Sequence, residues 1–321
     1  MANSADIDWQ EGREKYLGDP QGRNPNGPDV IVAVIDTGID YNHPDLKKTM
    51  WKNPGEIAGN GIDDDSNGFV DDVYGINLLG GNPRGDPIDQ DGHGTHCAGT
   101  IAAVADNDIG IAGVAGISLG KVKLMAIRAL PGVLSGIMDG LDYAVGKGAR
   151  ISSNSWGGRG GGASVLQRFF QDNPNHLFVS AAGNSNRKVD GSDFPASAIA
   201  PTHISVAAST IGDVKAGFSN YGTPFVNVFA PGTQIFSTWP NSRYRWLQGT
   251  SMACPHVSGL AALLMSLRNT VSPAQIKELI EQNVQKKSQY KNVVTSGGLI
   301  NVESAISALI GSGSSDPRTG K

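Results

Sequence analysis

The chain has 321 residues, 43 of them glycine, with 17% charged and 39% hydrophobic residues and a formal net charge of -4. Glycine at about 13% against a usual ~7%, with charge below the usual ~25%, points to a compact, loop-rich protein and excludes a disordered chain, which would be charge-rich and apolar-poor. The acidic balance leaves no electrostatic footprint for nucleic acid, and the longest apolar stretches, such as 260–265, fall far short of the ~18–20 residues that cross a bilayer.

Residues 1–28 are polar and turn-rich and read as an N-terminal arm whose first residues carry no signal pattern. Residues 30–35 form a continuous, mostly β-branched run ending in Asp36-Thr37-Gly38, the pattern of a strand buried on both faces. Residues 53–92 are rich in Gly, Asn and Asp and read as loop. A small-residue helix is expected from 93 to 104, a strand at 122–128, a helix at 135–147 and a strand at 149–155. Then follow a helix at 165–172 and strands at 177–182 and 204–208. Residues 251–268 read as a buried helix, and 273–285 as an amphipathic one opening at Ser272-Pro273. This alternation predicts an α/β fold: a single-domain, doubly wound, mostly parallel sheet flanked by helices, over residues 29–310. Residues 311–321 have flexible-linker composition and read as a C-terminal tail.

Three Gly-flanked clusters carry the chemistry. Asp36 closes a buried strand, where α/β sheets build their sites; by itself it is as well explained as a turn or cap residue. His93 stands in Asp91-Gly92-His93-Gly94-Thr95-His96, and His96 reads as a structural histidine. Ser251 opens the buried helix at Gly249-Thr250-Ser251-Met252-Ala253, where a lone serine is ordinarily an N-cap. Together they supply a nucleophile, a base to take its proton, and an acid to fix the tautomer of the base. Their order of Asp, His, Ser is that of subtilisin.

The sequence resembles the subtilisin-like serine proteases, the subtilases, from about Val30 to Ile310. The resemblance rests on residues 34–40 (VIDTGID), His43-Pro44-Asp45-Leu46, residues 93–99 (HGTHCAG), Ala181-Ala182-Gly183-Asn184 and residues 249–257 (GTSMACPHV). It implies a secreted-type serine endopeptidase acting on proteins or peptides through an acyl-enzyme. Ser251 would attack the scissile carbonyl, His93 would act as base and then acid, Asp36 would orient His93, and Asn184 would donate to the oxyanion. Ser155-Trp156-Gly157-Gly158 resembles the segment that pairs with substrate backbone, with Trp156 as a pocket wall. Asp193 falls near the floor of the primary pocket, where a carboxylate would favour a basic side chain, as in trypsin; an exposed loop aspartate is the competing reading.

The segment Asp63-x-Asp65-x-Asn67-Gly68-Phe69-x-Asp71-Asp72 places oxygen ligands at alternate positions with glycine sixth, the start of an EF-hand-like calcium loop. Position 12 is Tyr74 rather than Glu, so Asp71, Asp72 or Glu56 is expected to complete the shell. The resemblance implies a second Ca2+ site from Asp45, the Asn107 side chain and the carbonyls of Ala105, Ile109 and Ile111. Cys97 and Cys254 are expected as small buried residues beneath the catalytic ones. The family also implies a secretory destination, a monomeric state, a zymogen history, and an N-terminal prodomain, absent from this chain, as folding aid and inhibitor. The sequence is then expected to be a mature form or catalytic fragment. Two other readings stand beside it. A catalytically silent subtilase-fold binding protein should have lost one of Asp36, His93, Asn184 or Ser251, and an esterase would have no use for 155–158.

Overall fold

In the computed structural model the described residues are 6–22, 26–80 and 85–312. The strands in chain order are β1 (Val30–Asp36), β2 (Gly75–Asn77), β3 (Val122–Arg128), β4 (Ile151–Asn154), β5 (Gly158–Arg159), β6 (Leu177–Ala181), β7 (Asp193–Phe194), β8 (His203–Ser209), β9 (Val228–Pro231), β10 (Ile235–Trp239), β11 (Arg243–Leu247), β12 (Gln285–Lys286) and β13 (Gly298–Leu299). The helices are α1 (Trp9–Gly18), α2 (His93–Ala102), α3 (Leu134–Gly146), α4 (Gly162–Asp172), α5 (Thr250–Leu267), α6 (Pro273–Gln282) and α7 (Val302–Ser312).

Among the described residues the central sheet has nine strands in the order β12-β13-β9-β8-β6-β4-β1-β3-β2, parallel except for the β12–β13 pair at one edge. The β-branched run of β1 sits near its middle, paired with β3 and β4, and all but one of its residues are buried. Helices cover both faces, so the sheet separates two apolar layers. One is built around α2 and α5, the other around α3 and α4. This is the doubly wound architecture expected from the alternation of elements. The strand order steps from β4 to β1 to β3, and Asp36 stands at the carboxyl end of β1 where ligand crevices of such sheets form.

Some elements differ from the expectation. The arm contains α1, whose Tyr16 is fully buried and hydrogen-bonds Ser266 on α5 at 2.9 Å. Its helical pattern is weak because only Gly12 and Tyr16 face inward. The loop at 53–92 contains β2, held to β3 through Ile76, which is 0% exposed. Helix α5 is long and apolar enough to cross a bilayer by composition, with mean hydropathy 1.3, but 89% of it is buried inside the protein. It is the core helix onto which β4, β6, β8 and β9 pack. Residues 1–5 and 23–25 of the arm, and the tail from 313 onward, lie outside the described residues.

Candidate active site

Asp36, His93 and Ser251 come from three different elements. Asp36 ends β1, His93 is the first residue of α2, and Ser251 is the second residue of α5. The glycines beside His93 are required by packing. A Cβ on Gly92 would lie 2.3 Å from the Trp239 ring, and one on Gly94 would lie 2.1 Å from the Gly38 carbonyl. The tight approach brings His93 Nδ1 to 2.7 Å from Asp36 Oδ1. That oxygen also accepts the Thr37 N–H at 2.8 Å, and Asp36 is 0% exposed. The buried carboxylate raises the pKa of His93 above the ordinary imidazole value, outweighing the opposing effect of burial.

The nucleophile end of the site is organised by Pro255. Proline lacks the N–H that would bond the carbonyl four residues earlier, so the Ser251 carbonyl is left for other donors. It accepts the Ser155 hydroxyl at 2.8 Å and the Cys97 thiol at 3.4 Å. In return the Ser251 hydroxyl donates to the Ser155 carbonyl at 3.0 Å, so the resting serine is tied to the 155–158 segment rather than to His93. The Ser251 N–H, in the first turn of α5, has no partner among the described residues.

Asn184 follows β6. Its carbonyl oxygen accepts the Thr250 N–H at 2.9 Å and the Thr250 hydroxyl at 3.0 Å, which leaves the amide N–H groups free among the described residues. A cleft of ≈ 290 Å³ joins Ser251 and Asn184 to Ser155, Trp156, Gly157, Gly158 and Asp193. The backbone of Trp156 and Gly157 makes no hydrogen bond among the described residues, while Gly158 and Arg159 pair antiparallel with Phe194 and Asp193. Trp156 is buried and lines this cleft.

Asp193 lies in the cleft as expected, but its carboxylate is already engaged. Arg187 grips both oxygens, one contact measuring 2.7 Å, and Arg159 approaches to 3.6 Å. A basic substrate side chain therefore finds no free carboxylate here, and the expected basic preference has lost its physical basis. Sequence reading missed Arg187 because no sequence pattern marks two charged residues six apart in a loop as partners.

The expected calcium ligands are divided. Glu56, Asp65 and Asp72 converge, with one oxygen from each lying within 4.8 Å of the others. Glu56 Oε2 and Asp65 Oδ1 are buried without a partner among the described residues. Burial, then the neighbouring carboxylates of Asp72 and Asp65, raises the pKa of Glu56. Asn67 donates to Asp72 at 2.8 Å, and Phe69 packs edge-on against Tyr143. Asp63 and Asp71 instead accept loop N–H groups, Asp63 from Asn67 and Gly68, and Asp71 from Gly59, Asn60 and Gly61. The EF-hand-like reading of these two as co-ligands with Asp65 is not the arrangement found. Tyr143 and Lys147 of the α3 region, unforeseen from the sequence, bond Asp72 and Asp65.

At the second expected site, Asp45, Asn107 and Ile111 do come together. Asp45 accepts the Asn107 amide at 2.7 Å, the Ile111 N–H at 3.0 Å and the Tyr244 hydroxyl at 3.2 Å. Ile109 donates its N–H to Asn107 Oδ1 at 3.2 Å, and the Ala105 N–H bonds the Gly116 carbonyl. The Ala105, Ile109 and Ile111 carbonyls accept no hydrogen bond among the described residues. His96 is structural, as read: Nε2 lies 3.1 Å from the Ile235 and Arg245 carbonyls, and burial lowers its pKa to about 4.

Residues 27–299 match the sequence model of the subtilase family. The chain is 34% identical over 310 residues to Subtilisin-like protease 1 of Plasmodium vivax, covering 88% of this chain and 48% of that protein. It therefore spans about half the length of that curated relative. To Thermitase of Thermoactinomyces vulgaris it is 37% identical, covering 82% of this chain and 83% of that protein. Among solved structures, a cold-adapted subtilisin-like serine proteinase superposes with a TM-score of 0.62 at 29% identity, covering 86% of this chain and 88% of that one. A protease from Pseudoalteromonas arctica superposes at 0.71 with 26% identity, covering 91% and 94%.

Proposed function

This chain belongs to the subtilase family, and from that premise we propose that it is a serine endopeptidase hydrolysing peptide bonds in proteins through an acyl-enzyme. The observation that carries this reading is the 2.7 Å contact of His93 with buried Asp36, beside a cleft shared by Ser251 and Asn184.

Substrate backbone entering along Trp156–Gly157 meets unpaired peptide groups and extends them as a strand. Rotation about the Ser251 side chain moves its hydroxyl from the Ser155 carbonyl toward His93 Nε2. The oxygen then attacks the scissile carbonyl carbon while Nε2 takes the proton. Asp36 holds Nδ1–H and stabilises the imidazolium. The carbonyl electrons move onto oxygen, where the Asn184 amide and the Ser251 N–H donate to the oxyanion. Collapse breaks the C–N bond, His93 protonates the leaving amine, and water repeats the sequence to release the acid and restore Ser251.

We further propose that calcium is held structurally by Glu56, Asp65 and Asp72, whose convergent carboxylates and orphaned oxygens suit a hard cation. It would supply charge neutralisation to the 53–72 loop and take no part in catalysis. On family grounds we place the protein in the secretory route as a monomer, served by a prodomain that assists folding and inhibits.

The test is cleavage of an unfolded protein and of matched amide and ester substrates, with Ser251→Ala as control. Endoproteolysis lost in the variant supports the reading. Ester turnover without amide turnover, or no turnover by folded protein, would replace it with the esterase or the silent binding protein.

A further inference from the structure

Arg187 lies on the segment between β6 and β7 and lines the cleft that holds Ser251. Its guanidinium forms a fork on Asp193, one terminal nitrogen donating to Oδ2 at 2.7 Å and the other to Oδ1. The Asp190 N–H adds a third bond to Oδ2 at 2.8 Å. The β5–β7 register sets Arg159 opposite Asp193, so that Arg159 Nε reaches Oδ1 at 3.6 Å. Asp190 completes the group, 2.7 Å from Arg159 and 3.7 Å from Arg187. Two guanidinium groups thus face two carboxylates. The Asp193 side chain is 7% exposed and that of Arg187 29%, so within this pair the arginine is the partner that faces the cleft.

We propose that Arg187 determines specificity by masking Asp193, so that the cleft accepts neutral side chains at the residue before the scissile bond and rejects basic ones. This rests on the endopeptidase reading above. A substrate ammonium or guanidinium would meet like charge on Arg187, and would have to displace a bidentate fork to reach the carboxylate. Repulsion of the wrong side chain is the discriminating element here. Removing the arginine leaves a nearly buried carboxylate with its principal partner gone, and a basic side chain from the substrate can replace it.

The experiment measures kcat/KM for matched peptides carrying Leu, Lys or Glu before the cleaved bond, each value normalised to sites titrated with a fluorophosphonate. Wild type is expected to favour Leu over both charged residues. Arg187→Gln should raise the Lys/Leu ratio at least about tenfold, a gain that a newly available charge partner in a pocket readily supplies. Asp193→Asn, which frees Arg187 instead, should raise the Glu/Leu ratio. The double variant Arg187→Gln/Asp193→Asn retains neither charge of the pair, and should show neither gain. A wild-type preference for Lys overturns the proposal, as do unchanged ratios in titratable Arg187→Gln or Asp193→Asn enzyme. If Arg187→Gln yields no titratable enzyme, the Asp193→Asn ratio decides. Wild type that neither takes the reagent nor cleaves any peptide refutes the endopeptidase reading itself, an outcome distinct from an active enzyme with unmoved ratios.

Discussion

One oxygen of the fully buried Asp36 takes both His93 Nδ1, at 2.7 Å, and the Thr37 N–H, at 2.8 Å, while its other oxygen has no partner among the described residues. A carboxylate so enclosed is neutralised chiefly by the imidazole, and it raises the proton affinity of His93.

The acid limb of the kcat/KM profile, which reports the free enzyme, should therefore lie above the ordinary histidine pKa of ~6.5. Asp36→Asn should move that limb down and cost roughly 10³–10⁴-fold in kcat, by analogy with other serine-protease triads. The same pair contributes stability in the opposite pH sense from an ordinary ion-paired carboxylate. Since the folded-state pKa is the higher one, the contribution is complete below ~6.5 and fades as pH rises through the raised value. An acid limb at or below 6.5 in wild type would contradict the electrostatic account.

Asn184 presents its amide N–H groups toward the cleft because Thr250 occupies its carbonyl oxygen. Asn184→Ala should lower kcat by about 10²–10³-fold, the magnitude known for the corresponding donor of subtilisin, with KM little changed. A change confined to KM would mean that the side chain only binds ground-state substrate.

Thermal unfolding of the Ser251→Ala variant, which avoids self-digestion, should respond to calcium. At a hundredfold excess over Kd, binding to the folded state adds about 2.7 kcal/mol. Chelation should remove that increment, and Glu56→Gln or Asp72→Asn should make the melting temperature indifferent to calcium. Asp45→Asn should leave the calcium response in place. A response abolished by Asp45→Asn and kept in Glu56→Gln would reverse the assignment of the two clusters.

Cys97 lies 4.0 Å from His93 Nδ1 and 3.4 Å from the Ser251 carbonyl, and burial raises its pKa, so it is a packed thiol rather than a nucleophile. A mercurial that reaches it should displace His93 or Ser251 and slow the enzyme, and Cys97→Ala should resist the reagent. Full activity after proven modification of Cys97 would show that the catalytic pair tolerates the intrusion.

Asp36, His93 and Ser251 stood out because each sits at an element end beside glycine, which close packing demands at Gly38, Gly92 and Gly94 and a positive φ favours at Gly249. The VIDTG, HGTHC and GTSMA segments carry both the backbone geometry and the chemistry. The central sheet was legible because β1 is a continuous apolar run up to Asp36 and β3, β6 and β8 are mostly apolar, interrupted inside by Lys123, Ser180 and Ser205. The ion pairs that depend on how the loops fold were not. Arg187 meets Asp193 only when the segment between β6 and β7 folds back beside β5, and Lys147 meets Asp65 only after α3 packs over the acidic loop. Asp63 and Asp71 were misjudged because an alternating acidic pattern serves equally well to cap loop N–H groups. The hairpin β10–β11 went unread, since Arg243 to Leu247 alternates charge and aromatics and is largely exposed.

The most direct test of the central claim is the intact mass of the protein after fluorophosphonate treatment. The account predicts a single adduct, mapped to Ser251 and absent in His93→Ala, because only a serine whose proton His93 can accept attacks the reagent. Folded protein that gains no adduct, or an adduct that persists in His93→Ala, would contradict it.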